Sequence, residues 1–221
     1  MDPNALQPAV VFKALTLDVF QKAVGCTEDV AKAWCDVTNS AMLEFGILKP
    51  LDQAMFLAQV GHESTGFTQL VESFNYSIPG LRLTFGHRLT ETEIQSWGRQ
   101  ANERSVPVER QKLIANKVYG GRMGNTRPND GWDYRGRGPI QTTGTYNYKG
   151  TGDALGIDLY SNPDLLTTPA VGIRAAAYYY VKEGCLKFTD DIVRITKIIN
   201  NGDNGIDDRR KRYVRAKSVI V

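Results

Sequence analysis

Apolar residues recur at three- and four-residue spacings over most of this chain, and this pattern predicts a mainly α-helical protein. The spacing predicts helices over residues 17–24, 28–45, 51–63, 168–184, 189–202 and 207–221, with Thr189 as an N-cap. Residues 90–119 predict two or three short helices with a boundary at Pro107. A glycine-rich segment then runs from 120 to 148, and we interpret it as a long functional loop. The middle loops and short helices are expected to form a smaller lobe beside a cleft.

Length and composition place the chain among ordinary globular proteins. Its 221 residues suit one large domain or one domain with two lobes. The net charge of +3 is mild, but six basic residues and no acid lie between Arg209 and Lys217. This run predicts either a solvated helix face or contact with an anionic surface. Its three cysteines form no C-x-x-C pair, so we interpret them as buried apolar residues rather than a disulfide or zinc set.

Two glutamates stand nine positions apart in the segment "GHESTGFTQLVESFNY", residues 61–76. In a continuous helix, Glu63 and Glu72 would point to opposite faces, because nine steps of about 100° end half a turn away. Gly66 interrupts the helix and lets the chain fold back. Enzymes that cleave glycosidic bonds use a pair of carboxyl groups. Two exposed surface glutamates would show the same spacing, and this alternative stays open. Glu63 follows an apolar helix face, which suits a proton donor, and Glu72 lies in a polar run, which suits a base.

The glycine-rich segment holds side chains that could bind a sugar. Gln141, Thr143 and Asn147 can hydrogen-bond hydroxyl groups or a water molecule, and Tyr146 and Tyr148 offer flat rings. Stacking and basic groups could also hold single-stranded nucleic acid. The segment lacks the phosphate-binding pattern G-x-x-x-x-G-K-[ST]. The two histidines stand without further ligands at helical spacing, so we expect no metal, and we expect His62 to support the Glu63 region or to lie in the core.

Five motifs occur in a fixed order: "AQVGHESTGF", "ESFNYS", "NKVYGGRMGN", "YRGRGPIQTTGTYNY" and "IINNGDNGIDDRRKRY". Together they resemble the phage endolysins of glycoside hydrolase family 19, which are lysozyme-like relatives of plant and bacterial chitinases. The resemblance covers residues 17–221, which implies one lysozyme-like catalytic domain of two lobes around a substrate cleft. We expect the smaller lobe within about 75–120 and an N-terminal extension over 1–16.

The resemblance also implies residue roles. Glu63 of the "HES" motif falls on the general acid, and Glu72 falls on the general base of the endolysin-like members. In plant-type chitinases the second glutamate lies farther along the chain, so the base role depends on those members alone. The substrate-binding positions implied are Gln141, Thr143, Tyr146, Asn147, Asn200 and Arg209.

The function implied is hydrolysis, with inversion, of the β-1,4 bonds of peptidoglycan for host cell lysis. A chitinase acting on chitin oligomers is the alternative, and an inactive glycan- or nucleic-acid-binding module is a third. We expect no cofactor, no nucleic acid partner and no membrane insertion. The N-terminal sequence does not resemble a signal peptide. A monomer made in the host cytoplasm would therefore need a holin to reach the peptidoglycan strands.

Overall fold

The computed structural model describes residues 11–221 and is mainly α-helical, as predicted. Helices α1–α11 span Leu17–Val24, Glu28–Glu44, Pro50–Glu63, Ile78–Phe85, Glu91–Trp97, Val108–Tyr119, Asp130–Asp133, Thr145–Leu155, Pro169–Lys182, Ile192–Asn200 and Ile206–Ile220. Two short 3-10 helices span Pro163–Thr167 and Cys185–Phe188. Within the described residues, extended backbone pairs only through isolated bridges. None of the helices between residues 11 and 221 has the length and apolar character of a membrane span.

The chain divides into two compact units. The terminal unit combines the chain up to Thr68 with Pro169–Val221, and the inserted unit is Gln69–Thr168. The inserted unit contains the 75–120 segment expected for a smaller lobe and extends beyond it at both ends. Of the expected N-terminal extension, residues 1–10 lie outside the described residues. Leu15 is buried and its N–H donates to Asn39 Oδ1 at 2.8 Å, so the end of that segment packs on the terminal unit.

Helix α3 is the central element of the terminal unit. All residues from Asp52 to Gly61 are buried, which fits a helix that is apolar on more than one face. Pro50 occupies the first helical turn, where its missing N–H costs no hydrogen bond. Helix α11 packs along α3, and α1 packs against α11. Because α3 is fixed on several sides, its last residue, Glu63, is held on a rigid element.

The inserted unit has its own apolar core. Phe74, Leu81, Leu89, Ile94 and Ile114 are all at most 5% exposed and form one cluster. The core holds together the helices α4–α6 and the extended segment that contains Glu72. Helix α4, Ile78–Phe85, was not foreseen, because its eight residues carry Pro79 and Gly80 in the first turn.

Three local expectations are wrong. The glycine-rich segment is not one long loop, because α7 interrupts it and α8 begins at Thr145. Helix α10 is capped by Asp191, whose side chain accepts from the N–H of Arg194, and not by Thr189. The Thr189 hydroxyl is instead hydrogen-bonded to the buried carboxylate of Asp52 at 2.6 Å. Cys35 and Cys185 are buried as expected, but Cys26 is only half-buried, and all three are free thiols.

The basic run of α11 faces solvent in part, at Arg210 and Lys211, but most of its cations do not. Arg209 is only 1% exposed. Arg212 pairs with Asp208, and Lys217 pairs with Asp190. Arg215 donates to backbone carbonyls of α1. Most of these cations thus form contacts within the terminal unit. They can do so because α11 packs against both α1 and α3.

Candidate active site

Glu63 lies at the last position of α3, where a buried arginine holds its carboxylate. The Nη2 of Arg209, on α11, donates to Glu63 Oε1. The guanidinium side of this pair is 2% exposed, whereas the carboxylate is 21% exposed. Arg209 therefore reaches Glu63 from the protein interior and leaves part of the carboxylate open to solvent.

A buried network fixes Arg209 in turn. Its Nη1 donates to Gln59 Oε1, one helical turn before Glu63 on α3. Gln59 completes the network by donating from Nε2 to the hydroxyl of Thr196 at 3.3 Å. The buried charge is thus both paired and hydrogen-bonded, which a buried ion requires. Asn200 approaches from the end of α10, and its Nδ2 donates to the carbonyl of Asn204, 3.1 Å away. The three predicted residues Glu63, Asn200 and Arg209 accordingly lie in one region of the terminal unit.

The chain turns sharply directly after Glu63. Thr65, Gly66 and Phe67 all have positive φ, at 49°, 68° and 69°. The Ser64 hydroxyl stabilises this turn, since it donates to Val60 O and accepts from the N–H of Phe67. The prediction that the helix breaks at Gly66 is confirmed, although helix α3 already ends at Glu63.

His62 supports this region through a hydrogen bond, as expected. Its Nδ1 lies 2.7 Å from a carboxylate oxygen of Asp208, which also accepts from Arg212. Gly205 lies directly under the imidazole, and a Cβ there would come within 2.3 Å of the ring. The loop before α11 can therefore approach His62 only because a glycine stands at that position.

Glu72 lies in the inserted unit, in an extended segment that pairs with residues 136–138. Its N–H donates to the carbonyl of Gly136 at 2.8 Å, and the N–H of Gly136 donates to Glu72 Oε2 at 3.1 Å. The other carboxylate oxygen accepts from the hydroxyl of Tyr119, on α6, at 2.7 Å. Backbone and side chain of Glu72 are thus fixed together.

The surroundings of Glu72 are not the polar ones that its sequence neighbours suggested. Burial raises the pKa of the Glu72 carboxyl above its ordinary value, and it outweighs the opposing hydrogen bonds from Tyr119 and Gly136 and the nearby charge of Arg135. The polar residue at 73 is exposed, but the chain turns Glu72 against the protein. A carboxyl with a raised pKa can exchange protons closer to neutral pH.

Gln141 reaches the same place as Glu72. A Cβ on Gly136 would lie 2.8 Å from Gln141 Oε1 and 3.3 Å from Glu72 Oε2, so only a glycine separates the two side chains. Gln141 adopts a left-handed backbone with φ of 54°, which a non-glycine residue rarely does. Its Nε2 donates to the carbonyl of Gly138 at 3.0 Å. Backbone strain of this kind costs folding free energy and is concentrated at functional sites.

Thr143 and Asn147 continue from Gln141 as a chain of hydrogen bonds. The Thr143 hydroxyl donates to the carbonyl of Gln141, and Asn147 Nδ2 donates to the carbonyl of Thr143. Tyr146 is 71% exposed, and its ring packs over Gly124. Tyr148 is fully buried and hydrogen-bonded to Arg137 and to the carbonyl of Arg135, so it cannot offer a face to a sugar.

Tyr119 is a site residue that the sequence analysis missed. It ends α6 inside the motif "NKVYGGRMGN", which was noted for its resemblance alone. No local pattern marks this tyrosine, because its partner Glu72 lies 47 residues earlier in the chain. The contact arises from packing of α6 against the core around Phe74.

The chain is similar to known proteins over most of its length. A protein of Haemophilus influenzae described as a glycosyl hydrolase family 19 domain-containing protein is 37% identical over 180 residues, which cover 79% of this chain and 83% of that protein. The chain belongs to glycoside hydrolase family 19. It is therefore a glycosidase. The family profile "Chitinase class I" matches residues 108–213, which include Tyr119, the glycine-rich segment and Arg209.

Two chitinases are similar to this chain over different lengths. Chitinase 11 of rice is 39% identical over 88 residues, covering 39% of this chain and 34% of the rice protein. The crystal structure of chitinase C from Streptomyces griseus aligns with a TM-score of 0.56 at 20% identity, over 93% of this chain and 91% of that one. The second similarity establishes that the chain has the fold of family 19 chitinases, and with it the expected lysozyme-like, mainly α class.

Proposed function

We propose that this family 19 glycosidase hydrolyses the β-1,4 bonds of peptidoglycan and serves as an endolysin in host cell lysis. The observation that carries the proposal is the position of Glu72 in the sequence together with the environment of its carboxyl group. Glu72 stands nine residues after Glu63, at the position of the second carboxyl in the endolysin-like members that the sequence resembles. A carboxyl there that is half-buried, raised in pKa and held by Tyr119 and Gly136 is equipped for proton transfer.

In the proposed reaction Glu63 is the general acid. It donates its proton to the oxygen of the leaving sugar and becomes a carboxylate. Arg209 then stabilises the new negative charge, because its guanidinium already contacts Glu63 from the interior. The network through Gln59 keeps Arg209 in place, so the guanidinium is already positioned when the Glu63 carboxylate forms.

Glu72 is the general base of the proposed reaction. In its ionised form it accepts a proton from the attacking water, which adds to the sugar from the face opposite the leaving group and inverts the anomeric centre. Gln141 beside Glu72 and the hydroxyl of Thr143 supply polar groups for that water and for sugar hydroxyls. Tyr146 presents an exposed ring to the glycan, and Asn147 and Asn200 supply amides.

A chitinase acting on chitin oligomers is the second candidate. The observation in its favour is the similarity to Chitinase 11 of rice, which is 39% identical over 88 residues. Both polymers contain β-1,4-linked amino sugars, so one acid-base pair serves either.

The proposal includes how the enzyme reaches its substrate. We infer a monomer that accumulates in the host cytoplasm, reaches the wall after a holin has opened the membrane, and needs no cofactor, nucleic acid or membrane insertion. The exposed cations of α11, Arg210 and Lys211, remain for contact with an anionic envelope.

Mass spectrometry of the products from purified peptidoglycan tests the proposal, with chitin oligomers digested in parallel. We expect muropeptides cut at a β-1,4 glycosidic bond, without loss of the peptide and without the anhydro ends of a lytic transglycosylase. Glu63→Gln and Glu72→Gln should each lower the rate at least about 100-fold. Cleavage of chitin oligomers beside intact peptidoglycan would refute the endolysin role and support the chitinase.

A further inference from the structure

A polar cavity in the inserted unit has no role in the reaction proposed above. Its volume is about 440 Å³, and its walls include Trp132, Arg135, Arg137, Tyr160 and Asp164. The volume falls within the range of small-molecule binding sites. Two arginines and two aspartates line the cavity, so the charge that it presents to a ligand depends on which of these side chains are paired within its wall.

Arg137 cannot be the group that attracts this ligand, because its charge is already compensated. It is 4% exposed, its Nε donates to Asp164 at 2.8 Å, and its Nη1 donates to the carbonyl of Asp133 and to Tyr148. We interpret Arg137 as a structural residue that forms one wall of the cavity and holds Asp164.

Arg135 differs from Arg137 because no carboxylate within residues 11–221 forms an ion pair with it. Its Nη1 donates to the carbonyl of Trp132 at 2.8 Å, and its Nε is buried without a hydrogen-bond partner. The guanidinium carbon lies 3.8 Å from the centre of the Trp132 ring, which fixes the plane of the group. Burial, followed by the neighbouring charge of Arg137, lowers the pKa of Arg135. Burying a cation whose N–H groups lack acceptors costs folding free energy, and a bound anionic ligand would offset this cost.

The position of Arg135 connects the cavity with the candidate base. Arg135 directly precedes Gly136, whose N–H donates to Glu72. Its charge is also near enough to act on the Glu72 carboxyl. The cavity and Glu72 therefore both border the segment 135–136.

We propose that Arg135 binds a carboxylate of the peptide stem that branches from the glycan strand of peptidoglycan. Within residues 11–221 the Nη2 of Arg135 forms no hydrogen bond, and Nη2 together with the second N–H of Nη1 can offer two parallel donors to a carboxylate. Peptide stems carry carboxylates, whereas chitin has none, so this contact selects the anionic polymer. Asp133 lines the same cavity and faces solvent, and it can accept from an amide N–H of the stem. This inference rests on the proposed function and assigns it a residue that recognises the substrate.

The test compares kcat/KM on three substrates: native peptidoglycan fragments, the same fragments with their stem carboxylates chemically amidated, and chitin oligomers. For the wild type, amidation should lower kcat/KM about 10-fold or more, because a charge-assisted contact is lost. Arg135→Gln should lower kcat/KM on native fragments by a similar factor. Amidation of the fragments should then lower the kcat/KM of this variant little further. Arg135→Lys should recover only part, because an ammonium lacks the planar fork. Arg104→Gln, which removes an exposed arginine of the same unit, should behave like the wild type on every substrate.

The outcomes separate this inference from the proposed function. If the wild type cuts peptidoglycan but is insensitive to amidation, the inference is wrong and the endolysin role stands. Equal losses for Arg135→Gln on native and amidated fragments would also overturn it, because the arginine would then act only through Glu72. If chitin is cut and peptidoglycan is not, the proposed function itself fails. The amidation comparison uses the wild-type enzyme, so insensitivity to amidation overturns the inference even if Arg135 variants fold poorly.

Discussion

Replacing Tyr119 by phenylalanine removes one hydrogen bond from Glu72 and keeps the aromatic ring in the core. The hydroxyl lies 2.7 Å from Glu72 Oε1, and burial already raises the pKa of that carboxyl. A hydrogen bond to a charged group contributes about 1.5–3 kcal/mol, which corresponds to about 1–2 pKa units. The Gly136 N–H still donates to the carboxylate in the variant. We therefore expect the pKa of Glu72 to rise by about 1 unit, the lower end of that range.

The assay is the pH dependence of kcat/KM, which reports groups of the free enzyme. A general base must be ionised, so activity falls as the pH falls through its pKa. Because Tyr119→Phe raises that pKa, the acid limb of the profile should move about 1 unit to higher pH. Below the limb the variant should be about 10-fold slower, and on the plateau it should approach the wild type.

The position of the shift decides the role of Glu72. If the alkaline limb moves and the acid limb stays, Glu72 is the proton donor, and the assignment of the two glutamates must be exchanged. A uniform loss at every pH would mean that Tyr119 positions the substrate or the fold and does not act on Glu72. Tyr178→Phe, which changes a half-buried tyrosine of the terminal unit, controls for the loss of a hydroxyl and should leave the profile unchanged.

Three further predictions follow from named contacts. Gly136→Ala places a methyl group between Glu72 and Gln141, so kcat/KM should fall about 10- to 100-fold while circular dichroism stays unchanged. Arg209→Met removes the buried partner of Glu63 and should lower the free energy of unfolding in urea by about 3–5 kcal/mol. The control Arg210→Met, on the exposed face of α11, should change that free energy by no more than about 0.5 kcal/mol. Hydrogen bonds from two backbone N–H groups and an arginine lower the pKa of Asp130 although burial opposes them, so its stabilisation is present above pH 4 or so and lost as the pH falls. Asp130→Asn should therefore lose about 1–3 kcal/mol at neutral pH, and its gap to the wild type should close in acid.

The helices were predictable from sequence where apolar spacing and terminal signals agreed. Helix α3 has a proline in its first turn and a left-handed turn after Glu63, and its bounds came within one residue. The spacing did not predict helix α8, because five of its eleven residues are glycine, threonine or asparagine, which are poor helix formers. Its stability comes from burial of Tyr148 and Leu155, which no local propensity reports.

The site was predictable as a set of residue types but not as a set of environments. Spacing, side-chain chemistry and the family resemblance together predict Glu63, Glu72 and Gln141 as site residues. The burial of Glu72 could not be foreseen, because it depends on Tyr119 and Gly136, which lie 47 and 64 residues away. The same holds for Arg209, which looks like one member of a surface run and becomes the buried partner of Glu63 only through the packing of α11 on α3.

Chemical rescue by azide tests the acid-base assignment most directly. Glu72→Ala cannot deprotonate water, but azide needs no base and can attack the sugar in its place. We expect azide to restore turnover in Glu72→Ala and to form an α-glycosyl azide, the product of inversion on a β-linked strand. Glu63→Ala lacks the proton donor and should not be rescued. Rescue of Glu63→Ala alone, or a β-glycosyl azide, would contradict the assignment of Glu63 as acid and Glu72 as base.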